Sequence, residues 1–134
     1  MKYIHAECLW EWLLSKWTMK ENGFSCSYYW KSLECELCKS NFPHKIKENG
    51  RVITLTEVHK PPGDYAVFES LNQGISKQVH VISMFGSNEV TIGRGHECDI
   101  WVTDISVSRS HAILWKTGED YYIEDLNSKF GTLV

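Results

Sequence analysis

Proline is scarce, three in 134 residues, and no segment is built from a handful of residue types. That excludes a collagen-like fibre and a low-complexity tail. Basic charge is also short. Fourteen Lys and Arg stand against 17 Asp and Glu, net −3, so the chain lacks the cationic excess that coats nucleic acid. No apolar run nears the roughly 18 residues of a membrane span, no secretory signal is visible, and no segment repeats. What is present is an ordinary globular composition, 43% hydrophobic and 23% charged, at a length that suits one domain or two small ones.

The two halves differ. Residues 1–60 carry 9 Lys/Arg against 7 Asp/Glu, net +2, and residues 61–134 carry 5 against 10, net −5. Four of the six Trp and four of the five Cys precede residue 40. An odd cysteine count without a secretory signal points to a reducing, intracellular compartment, cytoplasmic or nuclear, where clustered Cys and His mean metal more often than disulfides. Three segments follow: a Trp-, Cys- and His-rich stretch over 1–44, a connector over 45–63 that ends in Pro61-Pro62-Gly63, and a β-prone stretch over 64–134.

Leu9, Trp12, Leu13 and Lys16 recur at helical spacing, with Trp10 and Trp17 on neighbouring faces, and Asn22-Gly23 is read as the helix stop. Residues 24–30 are aromatic and β-prone. Asn49-Gly50 signals a turn into a strand at Arg51–Glu57. Strands are then expected at Tyr65–Ser70, Gln78–Ser83, Glu89–Ile92, Ile100–Thr103, Ser110–Trp115, Tyr121–Asp125 and Thr132–Val134. Regular short strands of this kind point to a β-sandwich. Leu71, Val81, Ile92, Ile100, Ile113 and Ile123 are its expected core.

His5-x2-Cys8 and Cys35-x2-Cys38 each have the spacing of a metal-gripping knuckle. Cys26 and Cys98 are read as non-ligands. Lys2 to Leu13 together with Cys35-Glu-Leu-Cys-Lys-Ser-Asn-Phe42 resembles the second half of a RING-CH (RING-variant) zinc finger. The resemblance implies zinc, with His5 and Cys8 as the fifth and sixth ligands and Cys35 and Cys38 as the seventh and eighth. The family's first four Cys are absent, so each cross-braced site has two of its four ligands. The chain is then either a fragment that begins inside the finger, which is the favoured reading, or a fold that gathers the four residues into one site. Such fingers act as ubiquitin ligases by docking a ubiquitin-conjugating enzyme. Trp12 is either part of that docking groove or a plain core residue.

In the β-prone half, three loops between strands carry groups suited to an anion: Gly93-Arg94, Ser108-Arg109-x-His111 and Asp125-Leu-Asn-Ser-Lys-Phe-Gly-Thr132. Gly93-x-Gly95 lacks the third glycine of a dinucleotide site, no P-loop Lys-Ser/Thr follows it, and no nucleophile elbow accompanies Ser108 and His111. A catalytic site is not expected. The motif set resembles a forkhead-associated (FHA) domain, an all-β sandwich whose loops at one end bind phosphothreonine peptides. The resemblance gives Arg94 and Ser108 the phosphate, Arg109 the peptide, Lys129 the phosphate or peptide, and Gly93, His111 and Gly131 the shaping of the loops. Phe130 departs from the Asn found in many members. The family continues past Gly-Thr, so the sandwich is expected to lack its closing strands.

The combined expectation is a mainly β protein, with an FHA-like sandwich, C-terminally incomplete, after a small α+β partial RING-CH-like finger. Its implied function is phosphothreonine-dependent protein binding joined to a zinc finger that, in a complete protein, recruits partners for ubiquitination. The alternative is a non-catalytic phosphopeptide-binding scaffold with a degenerate finger.

Overall fold

A computed structural model describes residues 5–31, 33–43, 45–71, 76–86 and 89–134. Helix α1 spans Ala6–Leu14 and buries Ala6, Leu9 and Leu13 on one face, the i, i+4 spacing seen in the sequence. It ends at Ser15, whose hydroxyl donates to the carbonyl of Trp12 at 2.6 Å. No helix among the described residues is long and apolar enough to cross a membrane.

The helix does not run on to Asn22-Gly23. Strand β1, Trp17–Asn22, follows almost at once and pairs antiparallel with β2, Ser25–Lys31. Asn22-Gly23 therefore opens a hairpin, the commoner meaning of that dipeptide between β-prone runs. Gly23 takes a positive φ of 43° there, a region open to glycine at little cost. Trp17 and Trp30 are register partners, and their rings stack at 4.9 Å. A second hairpin joins β3, Lys45–Glu48, to β4, Arg51–Thr54, through Asn49 and Gly50, both at positive φ. The strand expected at Arg51–Glu57 is thus real but shorter.

Strand β5, Tyr65–Glu69, and β6, Ser76–Ser83, complete the first sheet in the order β1-β2-β6-β5. The second sheet holds β7 (Val90–Gly93), β8 (Ile100–Trp101), β9 (Ala112–Thr117) and β10 (Asp120–Asp125), in the order β10-β9-β7-β8. All its pairs are antiparallel except β7 with β8. No strand forms at Thr132–Val134, where Leu133 and Val134 are fully exposed.

Ile82 of the first sheet and Met84, just past the end of β6, meet Val90, Ile100 and Leu114 from the second sheet, with Ile92 and Ile123 partly buried around them. On the other face of β6, Val79 and Val81 pack against Tyr28 and Trp30. Val79 to Ile82 are consequently all buried, as in a central strand covered on both sides. A third cluster, Leu9, Leu13 and Leu55, ties α1 to the connector, and Leu33 touches both it and the cluster around Trp30. Of the expected core, Val81 and Ile100 are buried and Ile92, Ile113 and Ile123 are half-buried. Leu71 is 95% exposed, because it lies past the end of β5 and past the last bond to β6, from the N–H of Ser70 to the carbonyl of Gln78.

Candidate functional site

Strands β7 and β8 run parallel and finish at one end of the sandwich, where β9 begins and β10 ends. Residues 94–99, 102–111 and 126–131 therefore meet there, and backbone bonds knit them. The N–H of Arg94 donates to the carbonyl of Ser108 and that of Gly95 to the carbonyl of Arg109, each at 2.9 Å. The N–H of Leu126 donates to the carbonyl of His111 at 2.8 Å. Gly93 makes the approach possible. A Cβ there would lie 2.1 Å from the carbonyl oxygen of Arg109 and 2.9 Å from Cys98 Sγ.

Ser108 sits at the centre. Its hydroxyl oxygen accepts from the N–H of Lys129 at 3.0 Å, and its own N–H donates to His111 Nδ1 at 3.1 Å. The first bond leaves the hydroxyl proton of Ser108 free to be given to a ligand. The second requires Nδ1 of His111 to be unprotonated. Arg94 is exposed, and its Nε–H donates to the carbonyl of Val107 at 3.2 Å. It enters no ion pair among the described residues, so the terminal N–H groups of its guanidinium remain for an anion.

Three carboxylates of these loops are already engaged, those of Asp99, Asp104 and Asp125. Asp99 Oδ2 accepts from the N–H and hydroxyl of Thr91 at 2.9 and 2.8 Å. Asp104 accepts from the N–H and hydroxyl of Ser106. Asp125 accepts from the N–H of Ser128 and from the hydroxyls of Ser128 and Thr132, at 2.8, 2.6 and 2.8 Å. These bonds, Ser128's hydroxyl first, hold its carboxyl below the usual aspartate range. Asp125 and Thr132 set the shape of the third loop, and sequence reasoning gave neither a role. The available signal was an Asp followed three residues later by Ser, a pattern that builds turns around a side-chain oxygen. Asn127 and Gly131 both take positive φ in that loop. Lys129 Nζ lies over the exposed ring of Phe130, 5.3 Å from its centroid.

The four expected phosphate or peptide residues are thus gathered in touching loops, while the expected zinc ligands are not gathered into one place. His5 is the extended residue that caps α1, Cys8 lies exposed in its first turn, and no three or more His, Cys, Asp and Glu converge among the described residues. Cys35 and Cys38 do form a tight knuckle. The N–H of Cys35 donates to the carbonyl of Ser40 and that of Lys39 to the carbonyl of Cys35, each at 2.9 Å, with Lys39 at a φ of 59°. Hydrogen bonds from the side chain and backbone of Ser40, and from Cys35, draw the Cys38 thiol down to about 7. Two sulfurs in one turn, one of them half-ionised near neutrality, fit half of a thiolate metal site.

A β-sandwich with a guanidinium and a hydroxyl assembled at one end has the form of an anion-recognising binding module. Residues 90–134 match the family model of the FHA domain. The chain is 37% identical over 71 residues to the "Probable serine/threonine-protein kinase fhkA" of Dictyostelium discoideum, a stretch covering 53% of this chain and 11% of that protein. This chain therefore spans about a tenth of the relative's length. No solved structure gives a significant match.

Proposed function

We propose that the loop end of the sandwich binds phosphothreonine-containing segments of partner proteins, with Arg94 and Ser108 on the phosphate and Arg109 and Lys129 at its rim. FHA domains bind phosphothreonine-containing proteins, and the FHA match covers all three loops. The observation that carries the assignment is the Arg94–Ser108–Lys129 arrangement, in which the terminal N–H groups of the Arg94 guanidinium and the hydroxyl proton of Ser108 are left for a ligand while Asp99, Asp104 and Asp125 are engaged. A phosphate brings about −1.5 to −2 charges and several acceptor oxygens. Each charge-assisted hydrogen bond to it contributes roughly 1.5–3 kcal/mol, which an unphosphorylated threonine forgoes.

Phosphopeptide-library capture with the wild type and Arg94→Ala tests this. Phosphorylated peptides should be retained at least tenfold better than unphosphorylated ones, and a folded Arg94→Ala should lose that preference. Equal retention of both peptide forms by the wild type overturns the reading. So does unchanged binding by the variant.

The Cys35–Cys38 knuckle supports a second element. In this reading His5–Cys8 and Cys35–Cys38 are half-sites for structural zinc in a RING-CH-type finger, and the complete protein brings a ubiquitin-conjugating enzyme to the phosphorylated partner. Zinc would tie the knuckle to the segments that complete each site. Cobalt titration of the chain should give a thiolate charge-transfer band that Cys38→Ser weakens, and a flat titration overturns metal binding by these half-sites.

A further inference from the structure

Arg94 is held at three of its atoms. Its N–H donates to the carbonyl of Ser108 at 2.9 Å, and its Nε–H donates to the carbonyl of Val107 at 3.2 Å. Its own carbonyl accepts from the indole Nε1–H of Trp101 at 3.1 Å. The first two bonds stay within the loops of the anion site. The third leaves them, because Trp101 ends β8.

That strand is poorly anchored by itself. It has two residues, and only Ile92↔Ile100 and Gly93↔Trp101 join it to β7. The β1–β2 hairpin holds Trp101 from the other side. The Tyr29 hydroxyl donates to the carbonyl of Trp101 at 3.0 Å. Lys20 Nζ lies over the indole, 3.7 Å from its centroid, the placement of a cation–π contact. Lys20 enters no ion pair among the described residues, so the ring is the partner of its charge. Lys20 is the register partner of Ser27, and Ser27 and Tyr29 alternate along β2, so both groups reach Trp101 from one face of the first sheet.

Elsewhere the hairpin and the loop are loosely joined. A cleft of about 340 Å³ lies between them, with Ser25, Ser27, Cys98 and Asp99 in its walls. The bonds that cross it, from Asn22 and Ser25 to Asp99, are long at 3.4 Å. The tight junction is at Trp101. Its consequence for Arg94 is orientation. The peptide that follows Arg94 is gripped on both sides, its N–H by the carbonyl of Arg109 and its C=O by the indole. The direction of the Arg94 side chain is then set before a ligand arrives. Without the indole donor one bond remains, next to a glycine that restricts no rotation, and a ligand has to order the guanidinium itself at the expense of affinity.

We propose that Trp101 is a positioning residue for Arg94 and that the β1–β2 hairpin sets it through Lys20, so that phosphate affinity at the loop end depends on a residue of the Trp- and Cys-rich stretch. The inference rests on the phosphothreonine reading.

The test is fluorescence anisotropy on the whole chain with a phosphothreonine peptide and its unphosphorylated form. Wild type, Trp101→Phe, Lys20→Ala, Lys20→Arg and a control of equal charge, Lys47→Ala on the exposed face of β3, are compared, with circular dichroism to verify each fold. The Arg94 Nε–H resonance, assigned by its absence from Arg94→Ala, reports on the side chain directly. Trp101→Phe keeps a ring for Lys20 and removes the donor, and should bind the phosphopeptide about fivefold or more weakly. Lys20→Ala should lose about threefold and Lys20→Arg should return to within about twofold of the wild type, while Lys47→Ala should bind as the wild type does. The Arg94 resonance should shift or broaden in Trp101→Phe and Lys20→Ala and recover in Lys20→Arg. Wild-type affinity in Trp101→Phe or in Lys20→Ala overturns the positioning role and leaves the phosphothreonine reading standing. So does a Lys20→Arg no better than Lys20→Ala, an equal loss in Lys47→Ala, or an unmoved Arg94 resonance in the weakened variants. A wild type that does not prefer the phosphorylated peptide overturns both.

Discussion

Ser108 touches all three loops: its carbonyl accepts from Arg94, its N–H donates to His111 and its hydroxyl accepts from Lys129. Removing the imidazole leaves the Ser108 N–H without its acceptor, a penalty of about 1–3 kcal/mol for a partly buried donor. Thermal unfolding of His111→Ala should show that loss, and phosphopeptide affinity should fall with it because Ser108 is no longer held; an unchanged melting profile would remove His111 from this role. His80 behaves differently. It is buried between the sheets with Nδ1 2.8 Å from the Ser27 hydroxyl and the Tyr29 ring edge-on to it, and burial draws its pKa down from 6.5 to about 4. Above pH 6.5 folded and unfolded chains both hold it neutral. As pH falls below 6.5 the unfolded chain takes up a proton that the folded one refuses, so stability declines until about pH 4, by about 3 kcal/mol in all. Urea unfolding between pH 7 and 4 should trace that decline, and His80→Gln should flatten this part of it.

At the scale of elements, β7 depends on a residue with no side chain. Gly93→Ala would drive a Cβ to 2.1 Å from the Arg109 carbonyl, and neither backbone can yield without parting Gly95 from Arg109. A loss of at least about 2 kcal/mol is expected in denaturant unfolding, together with lost phosphopeptide binding. A Gly93→Ala protein with wild-type stability and affinity would contradict this account of the loop contact. Much of the second sheet was legible, since β7, β9 and β10 alternate clearly between turn residues and lie within two residues of where the pattern puts them. Asn22-Gly23 was legible only as a break, because a helix stop and a hairpin turn use the same dipeptide, and the choice between them depends on what Trp17 and Thr18 pair with. The gathering of Arg94, Ser108 and Lys129 came from motif resemblance. The bonds that fix it, through Asp125 and the carbonyl of Arg109, join atoms whose proximity no local pattern announces.

At the scale of the whole molecule, the seven-residue pairing of β2 with β6, from Ser25↔Ile82 to Lys31↔Ser76, joins the Trp- and Cys-rich stretch to the sandwich. No short-range signal marks such a partner, because the paired residues lie between 45 and 57 positions apart. Without residues 17–31, β6 would lose one of its two neighbours and β5 alone would flank it. Val79 and Val81, now 5% and 1% exposed, would lose Tyr28 and Trp30 from their outer face. Exposing two such valines costs about 3–6 kcal/mol, and His80 would also lose its Ser27 partner. That is comparable with the whole stability of a small domain, about 5–15 kcal/mol, and the bare edge of β6 would invite pairing with other chains. Residues 64–134 expressed alone should therefore be poorly soluble or lack a cooperative thermal transition, whereas residues 15–134, which keep the β1–β2 hairpin and omit α1, should retain one. A soluble, cooperatively melting 64–134 fragment that still binds phosphothreonine peptides would show that β6 does not need β2, and that the loop end is held by the second sheet alone.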